Sequence, residues 1–529
     1  MKSKLAVEQA AAAMRAGDLA DAERTLRNRL LEAPNDVEVL ARLGDMLNEQ
    51  GRPLDASVLY KRALAVAPKA DQVRLALAHQ LEKLGQSEPA LAEVEALEGP
   101  IRSSFSARAL EAALLGKLGV HDRELAIYEG MVRDFPDREV LWMCLGNTLK
   151  TVGRTDEAVK ALRQAIKVRP TYGEAYWSLA NLKTFRFDAR DIAAMRKALK
   201  SKLDESDALH FHFALGKALE DADDPKGSFE HYAAGNRIRA GQLNPSGMVV
   251  TNRTDAAIAT FTAPLFERCA GLGHQAPDPI FVVSLQRSGS TLIEQILATH
   301  PMIEGTSELI VLEQMWTRLA TLPGAGNNAF RGLLGLQPAD LEALGAEYLE
   351  RTRPFRLTER PMFIDKLPAN WLNVGFIRLI LPNARIVDAR RNPMACGFSN
   401  FRQNYATGVT FSYSLETIGR FYADYLRLMN HFDRVQPGKV HHVINERLID
   451  DPEGETRKLL DYVGVPFDPA CLEFHRNKRA VHSASSEQVR RPINRDGVDY
   501  WRRYEPWLGP LKQALGPALH EWDRLPGDR

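Results

Sequence analysis

The fold of the second half of the chain turns on Pro279 to Pro301, PIFVVSLQRSGSTLIEQILATHP. Ile280 to Val283 is a short apolar run rich in β-branched residues, the composition of a buried strand. A mainly polar stretch, Ser284-Leu285-Gln286-Arg287-Ser288-Gly289-Ser290-Thr291, interrupts it, and apolar residues resume at helical spacing with Leu292, Ile293, Ile296 and Leu297. A strand, a tight loop and a helix start form a phosphate cradle. The first N–H groups of the helix have no intrahelical partner and carry the positive end of its dipole. Gly289 lets the backbone turn toward a ligand, and Ser288, Ser290 and Thr291 bring hydroxyls. The loop is not a Walker A motif, because the lysine of that motif is Ser290 here and its first glycine is Ser284. Arg287, just ahead of Ser-Gly-Ser-Thr, is suited instead to forked contact with an anion.

This segment resembles the phosphosulfate loop of sulfotransferases that use 3′-phosphoadenosine-5′-phosphosulfate (PAPS), especially the tyrosylprotein sulfotransferase branch. There a strand leads into P-R-S-G-T-T-L and a helix closed by His-Pro. The match runs from Gln286 to Leu292, with His300-Pro301 closing the helix and Gln286 in place of the proline. The resemblance implies a nucleotide contact set of Arg287, Ser288, Gly289, Ser290, Thr291 and Leu292. It places the general base at Glu308, which lies 21 residues after Arg287. A semi-buried carboxylate with a raised pKa can take the proton of an attacking hydroxyl. It makes Lys366, after the predicted strand ending at Asp365, the contact to the leaving phosphate oxygen, with Asn370 and Trp371 on the same rim. It pairs Arg391 with Ser399, eight residues later, at the 3′-phosphate, and Arg390 is the adjacent competitor for that role. A guanidinium and a hydroxyl near a helix start suit a dianion.

Two departures stand out. The arginine two residues after the base is Ile310 here, and the tyrosine of a terminal tyrosine–glutamate pair is Asn445, with Glu446 kept. Between Arg476 and Arg503 eight basic residues face three acids. This stretch resembles the family's closing loop, with Ser486, Arg490, Arg491 and Arg495 as the nucleotide-contacting candidates. Strands are expected at Arg385–Ala389 and Val440–Ile444, and helices at 414–432 and 456–463. The implied fold is an α/β, P-loop-like, three-layer domain with a parallel sheet over residues 278–525.

The first half repeats. Glycines stand at Gly17, Gly51, Gly85, Gly119 and Gly153, an unbroken period of 34. Prolines at Pro34, Pro68, Pro136 and Pro170 share the period, with Arg102 in the vacant slot, and Ala22, Ala56, Ala90 and Ala158 share it with Glu124 interrupting. This is the tetratricopeptide signature of two helices per unit. It predicts an all-α solenoid over residues 1–240, whose stacking buries Leu40, Leu43, Leu47, Leu59 and Leu64. Residues 241–277 are expected to connect the two parts.

Formal net charge is +1, so no global field draws the chain to nucleic acid or an anionic membrane. One short basic run without stacking aromatics is not a nucleic-acid groove. The four cysteines form no CxxC, and no metal cluster appears. With no apolar run of about 20 residues and no clear leader, a cytoplasmic protein is expected. The reading is a sulfotransferase moving a sulfuryl group from PAPS to an acceptor hydroxyl, most plausibly protein tyrosine, without metal and leaving 3′,5′-adenosine diphosphate. The repeats would recruit the acceptor or a partner protein. Two rivals are a P-loop nucleotide kinase, which the missing lysine opposes, and a repeat-based binding protein whose α/β domain is silent, which Ile310 and Asn445 keep open.

Overall fold

The computed structural model describes residues 2–182, 185–243, 247–306, 308–405, 408–477, 479 and 488–526. The chain forms two compact units, Met1–Ala175 and Tyr176–Arg529.

The first unit is a succession of helix pairs, from Lys2–Arg15 with Leu19–Glu32 to Glu139–Thr151 with Thr155–Val168. Every glycine of the 34-residue series has positive φ, from 72° at Gly51 to 85° at Gly153. A Cβ at any of the five would meet nothing within 4 Å, so the left-handed backbone, not space, requires glycine. Each closes its first helix in the same way: Arg52 N–H reaches Leu47 O at 2.9 Å, Gln86 reaches Leu81 at 2.8 Å and Arg154 reaches Leu149 at 2.9 Å. These are the six-to-one bonds of a Schellman turn. Ala22, Ala56, Ala90 and Ala158 are fully buried where paired helices approach. The exception, Glu124, is held by the Thr148 hydroxyl at 2.7 Å and lies against Gly116, where a Cβ would be 2.8 Å from its oxygen. Arg102, in the slot without proline, makes a two-pronged bond at 2.6 and 2.8 Å to buried Glu111. The predicted leucine stripe is buried throughout.

The second unit is built around a five-stranded, all-parallel sheet. Its strands are β1 (Pro279–Ser284), β2 (Ile303–Gly305), β3 (Met362–Asp365), β4 (Arg385–Arg390) and β5 (Val440–Ile444), in the order β2-β3-β1-β4-β5. All six residues of β1 are buried, as a central strand covered on both faces requires. Strand alternation assigns the layers. Ile280, Val282, Ile364, Val387, Ala389 and Val443 pack in one core with helices Ser290–Thr299 and Pro452–Val463. On the other face Phe281 meets Tyr348 of helix Pro338–Thr352, and Asp388 meets Tyr425 of helix Leu415–Val435. The domain is therefore three-layered α/β/α. β2, only three residues long, was not expected from sequence.

Residues 241–277 do more than connect. They carry helices Gly247–Thr260 and Ala263–Arg268, and the Thr251 hydroxyl bonds Asp424 at 2.5 Å. Phe261 of this segment is fully buried against Phe266, Phe330 and Phe432. The preceding helices Glu205–Asp221 and Pro225–Gln242 lie inside the second unit, where Asn236 donates to Phe401 O at 2.7 Å. The compact division thus falls at 175/176, ahead of the expected end of the array at 240. Among the described residues no helix is long and apolar enough to cross a membrane.

Candidate active site

Ligands of doubly wound sheets bind outside the carboxyl ends of the strands. Here that edge opens into a cavity of about 570 Å³. The loop after β1 forms its floor. Arg287 takes φ +68° and Gly289 φ +97°, two left-handed residues that fold the chain tightly before the helix. A Cβ on Gly289 would stand 2.8 Å from Asn445 Oδ1, so this position is closed to side chains by both conformation and space. Asn400 Nδ2 donates to the Gln286 carbonyl at 2.8 Å and fixes the loop from behind.

Of the predicted residues, the cavity gathers Arg287, Gly289, Ser290, Thr291, Leu292, Glu308, Lys366, Arg391, Ser399 and Arg491. Arg287 Nε donates to Ser399 Oγ at 3.2 Å, and Arg391 Nη1 donates to the Arg287 carbonyl at 3.0 Å. Desolvation, with repulsion from Arg402 and Arg391 added, lowers the Arg287 guanidinium to about 10, so it stays charged at neutral pH. Burial lowers Arg391 as well. Arg402, unread in the sequence, adds a fourth guanidinium to Arg287, Arg391 and Arg491 on the wall, held by Glu220 at 2.8 Å and packed over the Tyr500 ring. Arg287, Arg391 and Arg402 repel one another in this cavity, an arrangement that favours a polyanion. Phe474, Val489, Ile449 and Ile493 add an apolar wall of the kind that covers a base.

The structure separates Arg391 from its competitor. Arg390 is fully buried and bonds Asp388 Oδ2 at 2.9 Å, His442 at 3.0 Å and the Trp522 carbonyl at 3.1 Å. Although burial pushes the Asp388 carboxyl up, Arg390 and His442 hold it below its ordinary range. Arg390 is committed to the interior. The signal was in the sequence: Asp388 and Arg390 are two apart on one strand, hence on one face.

Glu308 and Lys366 form an ion pair at the far side of the cavity. Glu308 is not the semi-buried carboxylate expected, since its side chain is 45% exposed, while Lys366 is 3% exposed. Beneath the pair lies Asp365, whose carboxyl burial pushes up to about 7 and which accepts from Tyr348 at 2.8 Å. The Glu308 loop is tied to β3 by Thr306, whose hydroxyl bonds the Ile364 carbonyl at 2.6 Å.

Other predicted residues lie off the cavity lining. The Ser288 hydroxyl is buried against Cys396 Sγ at 3.3 Å. Arg490 donates to the Arg479 carbonyl at 3.3 Å, and Arg495 pairs with Asp450 at the surface; neither lines the wall. Asn370 and Trp371 are core residues, with Trp371 edge-on to Phe421 and Tyr425. Ser486 lies outside the described residues. Glu446, read only as a retained residue, accepts the Asn392 N–H at 3.2 Å, and Asn392 caps helix Pro393–Phe401 through Met394 and Ala395 N–H. That chain of bonds sets Arg391 and Ser399 at the cavity.

Parts of the chain are similar to known proteins. Residues 279–469 match the model of the sulfotransferase family, and residues 141–172 that of the tetratricopeptide repeat. An uncharacterised protein of Aquifex aeolicus is 28% identical over 524 residues, 94% of this chain and 68% of its own length. Protein-tyrosine sulfotransferase A of Caenorhabditis elegans is 22% identical over 252 residues, 43% of this chain and 62% of that protein. The sulfotransferase domain of the Synechococcus olefin synthase is 24% identical, with 43% of this chain and 89% of that one covered at a TM-score of 0.33.

Proposed function

Because residues 279–469 form a domain of the sulfotransferase family in a chain that carries tetratricopeptide repeats, we propose that the protein transfers a sulfuryl group from PAPS to a hydroxyl, with a protein tyrosine as acceptor. The observation that carries the donor is the meeting of Arg391 and Ser399 with the loop after β1 in one cavity. ATP carries no 3′-phosphate for a second anion-binding pair beside the phosphate loop to hold, whereas PAPS does.

PAPS, when bound, supplies the activated sulfuryl group. The residues that would hold it are Arg287, the backbone from Gly289 to Leu292, Arg391, Ser399, Arg402 and Arg491, with Phe474 and Val489 on the apolar side. Glu308 acts as general base and holds the acceptor's proton on its carboxylate. Its half-exposed position suits a group that must meet an incoming acceptor. Lys366, paired with Glu308 in this state, turns its ammonium to the charge developing on the leaving oxygen. The repeats would recruit the acceptor polypeptide, which is the role such arrays serve through their concave face.

The first test is calorimetric titration with 3′,5′-adenosine diphosphate beside ADP. Tight binding of the first and weak binding of the second is expected, and equal binding would sink the donor assignment. Turnover on a tyrosine peptide follows. Glu308→Ala should lower it by ~10²–10⁴ and leave 3′,5′-adenosine diphosphate affinity largely intact. Unchanged turnover would remove Glu308 from the role.

A further inference from the structure

Glu294 lies one turn into the helix after the phosphate loop, 3% exposed, and a buried carboxylate must be paired. Two cations are within reach. Arg479 Nη2 stands 2.5 Å from Glu294 Oε1, and Lys366 Nζ stands 3.7 Å from Glu294 Oε2. Arg479 also donates from Nε to the Gly305 carbonyl at 3.1 Å and from Nη2 to the Thr306 carbonyl at 2.8 Å. The strand end opens for it: a Cβ on Gly305 would lie 2.8 Å from Arg479 Cζ. The segment carrying Arg479 is anchored by Asn477, which donates to Thr299 at 3.2 Å, and by Arg490, which donates to the Arg479 carbonyl. Neither Arg479 nor Glu294 lines the cavity.

We propose that Arg479 is a positioning residue: by neutralising Glu294 it keeps the Lys366 ammonium with Glu308 at the cavity instead of surrendering it to the interior. The inference rests on the assignment of Lys366 to the leaving oxygen. Without Arg479, Glu294 would be a desolvated anion whose nearest cation is Lys366, and a lysine side chain spans the remaining gap by rotation. The ammonium would then be withdrawn from the reaction. Through its bonds to Gly305 and Thr306 the same guanidinium also braces the loop that leads to Glu308. One arginine thus sets both members of the Glu308–Lys366 pair.

The test uses the full chain with Arg479→Met, Arg479→Lys, Glu294→Gln and the double variant Glu294→Gln/Arg479→Met. In the Arg479→Met crystal structure Lys366 Nζ should contract onto Glu294 to ordinary ion-pair distance, about 2.8 Å. Turnover should fall about 10–100-fold, with the Kd for 3′,5′-adenosine diphosphate changed by less than about threefold. Arg479→Lys should retain most activity. The double variant removes both the arginine and the charge it answers, so it should recover turnover to within about threefold of Glu294→Gln alone. A residue that only braced the fold would show no such rescue. Lys366 remaining on Glu308 in Arg479→Met, or a turnover loss that Glu294→Gln fails to recover, would overturn the proposal. So would a double variant that does not fold, because Arg479 would then be a structural brace. A wild-type protein that transfers no sulfuryl group would defeat the functional assignment, while the Lys366 distance would still decide this one.

Discussion

Replacing Arg391 by alanine tests the contact proposed to distinguish a 3′-phosphorylated nucleotide from ADP. The side chain reaches the cavity from the end of β4, and in this state its two Nη groups donate to the carbonyls of Arg287 and Gly497. A bound 3′-phosphate would receive a charge-assisted bond from it, worth roughly 1.5–3 kcal/mol. That corresponds to about a 10- to 150-fold rise in Kd for 3′,5′-adenosine diphosphate. Releasing the carbonyl of Arg287, a residue held at φ +68°, adds to the loss and does so for any nucleotide on the loop. The assay is therefore paired: calorimetric Kd values for 3′,5′-adenosine diphosphate and for 5′-AMP, in wild type and Arg391→Ala. The ratio of the two affinities should collapse in the variant. Arg391→Lys should recover little, because an ammonium does not reproduce the guanidinium fork. An equal loss for both nucleotides would show that Arg391 only supports the loop, and an unchanged ratio would refute the 3′-phosphate assignment.

Three further outcomes are expected. Gly289→Ala places a Cβ at φ +97° and 2.8 Å from Asn445 Oδ1, so it should cost about 1–3 kcal/mol in urea unfolding and abolish nucleotide binding, with Asn445→Gly relieving the crowding but not the backbone strain. Arg390→Met leaves Asp388 buried beside His442 without its guanidinium and should destabilise the domain by about 3–5 kcal/mol, read in the same assay; a change under about 1 kcal/mol would contradict the interior role. Asp365 has its pKa raised to about 7 in the folded chain, so the native state holds a proton there that the unfolded state releases at lower pH. Its contribution is full at acid pH and is lost as pH rises to about 7, so Asp365→Asn should flatten the fall in stability between about pH 4 and 7, and an unaltered slope would refute it.

The phosphate loop was readable because one local segment carries the whole device, from a six-residue buried strand to a glycine at positive φ and a helix start. The repeats were readable for a similar reason, since each glycine answers a purely local backbone demand. Strand order was not readable, because β1 pairs with β3 and β4 across some 80 to 110 residues of intervening chain. β2 escaped because three residues ending in glycine carry no periodicity. The predicted residues that lie off the cavity share a cause. Ser288 sits among true cavity residues, and Arg490 beside Arg491, yet neighbouring side chains on a bent backbone point in different directions. Arg402 and Arg479 were missed because their meaning lies in distant partners, Glu220 at 182 residues and Glu294 at 185. A basic residue in a polar run carries no sign of the carboxylate that will claim it.

The wall formed by Gln488 to Gly497 lies C-terminal to all five strands and completes the candidate cavity. During synthesis all five strands therefore emerge before the last wall of the pocket has left the ribosome. Val489 and Ile493 of that wall also pack in the core beneath the sheet, so one segment closes both the pocket and the core. A nascent chain stalled short of residue 488 would carry every strand but an open cradle, so binding competence should come only with the last stretch of the chain.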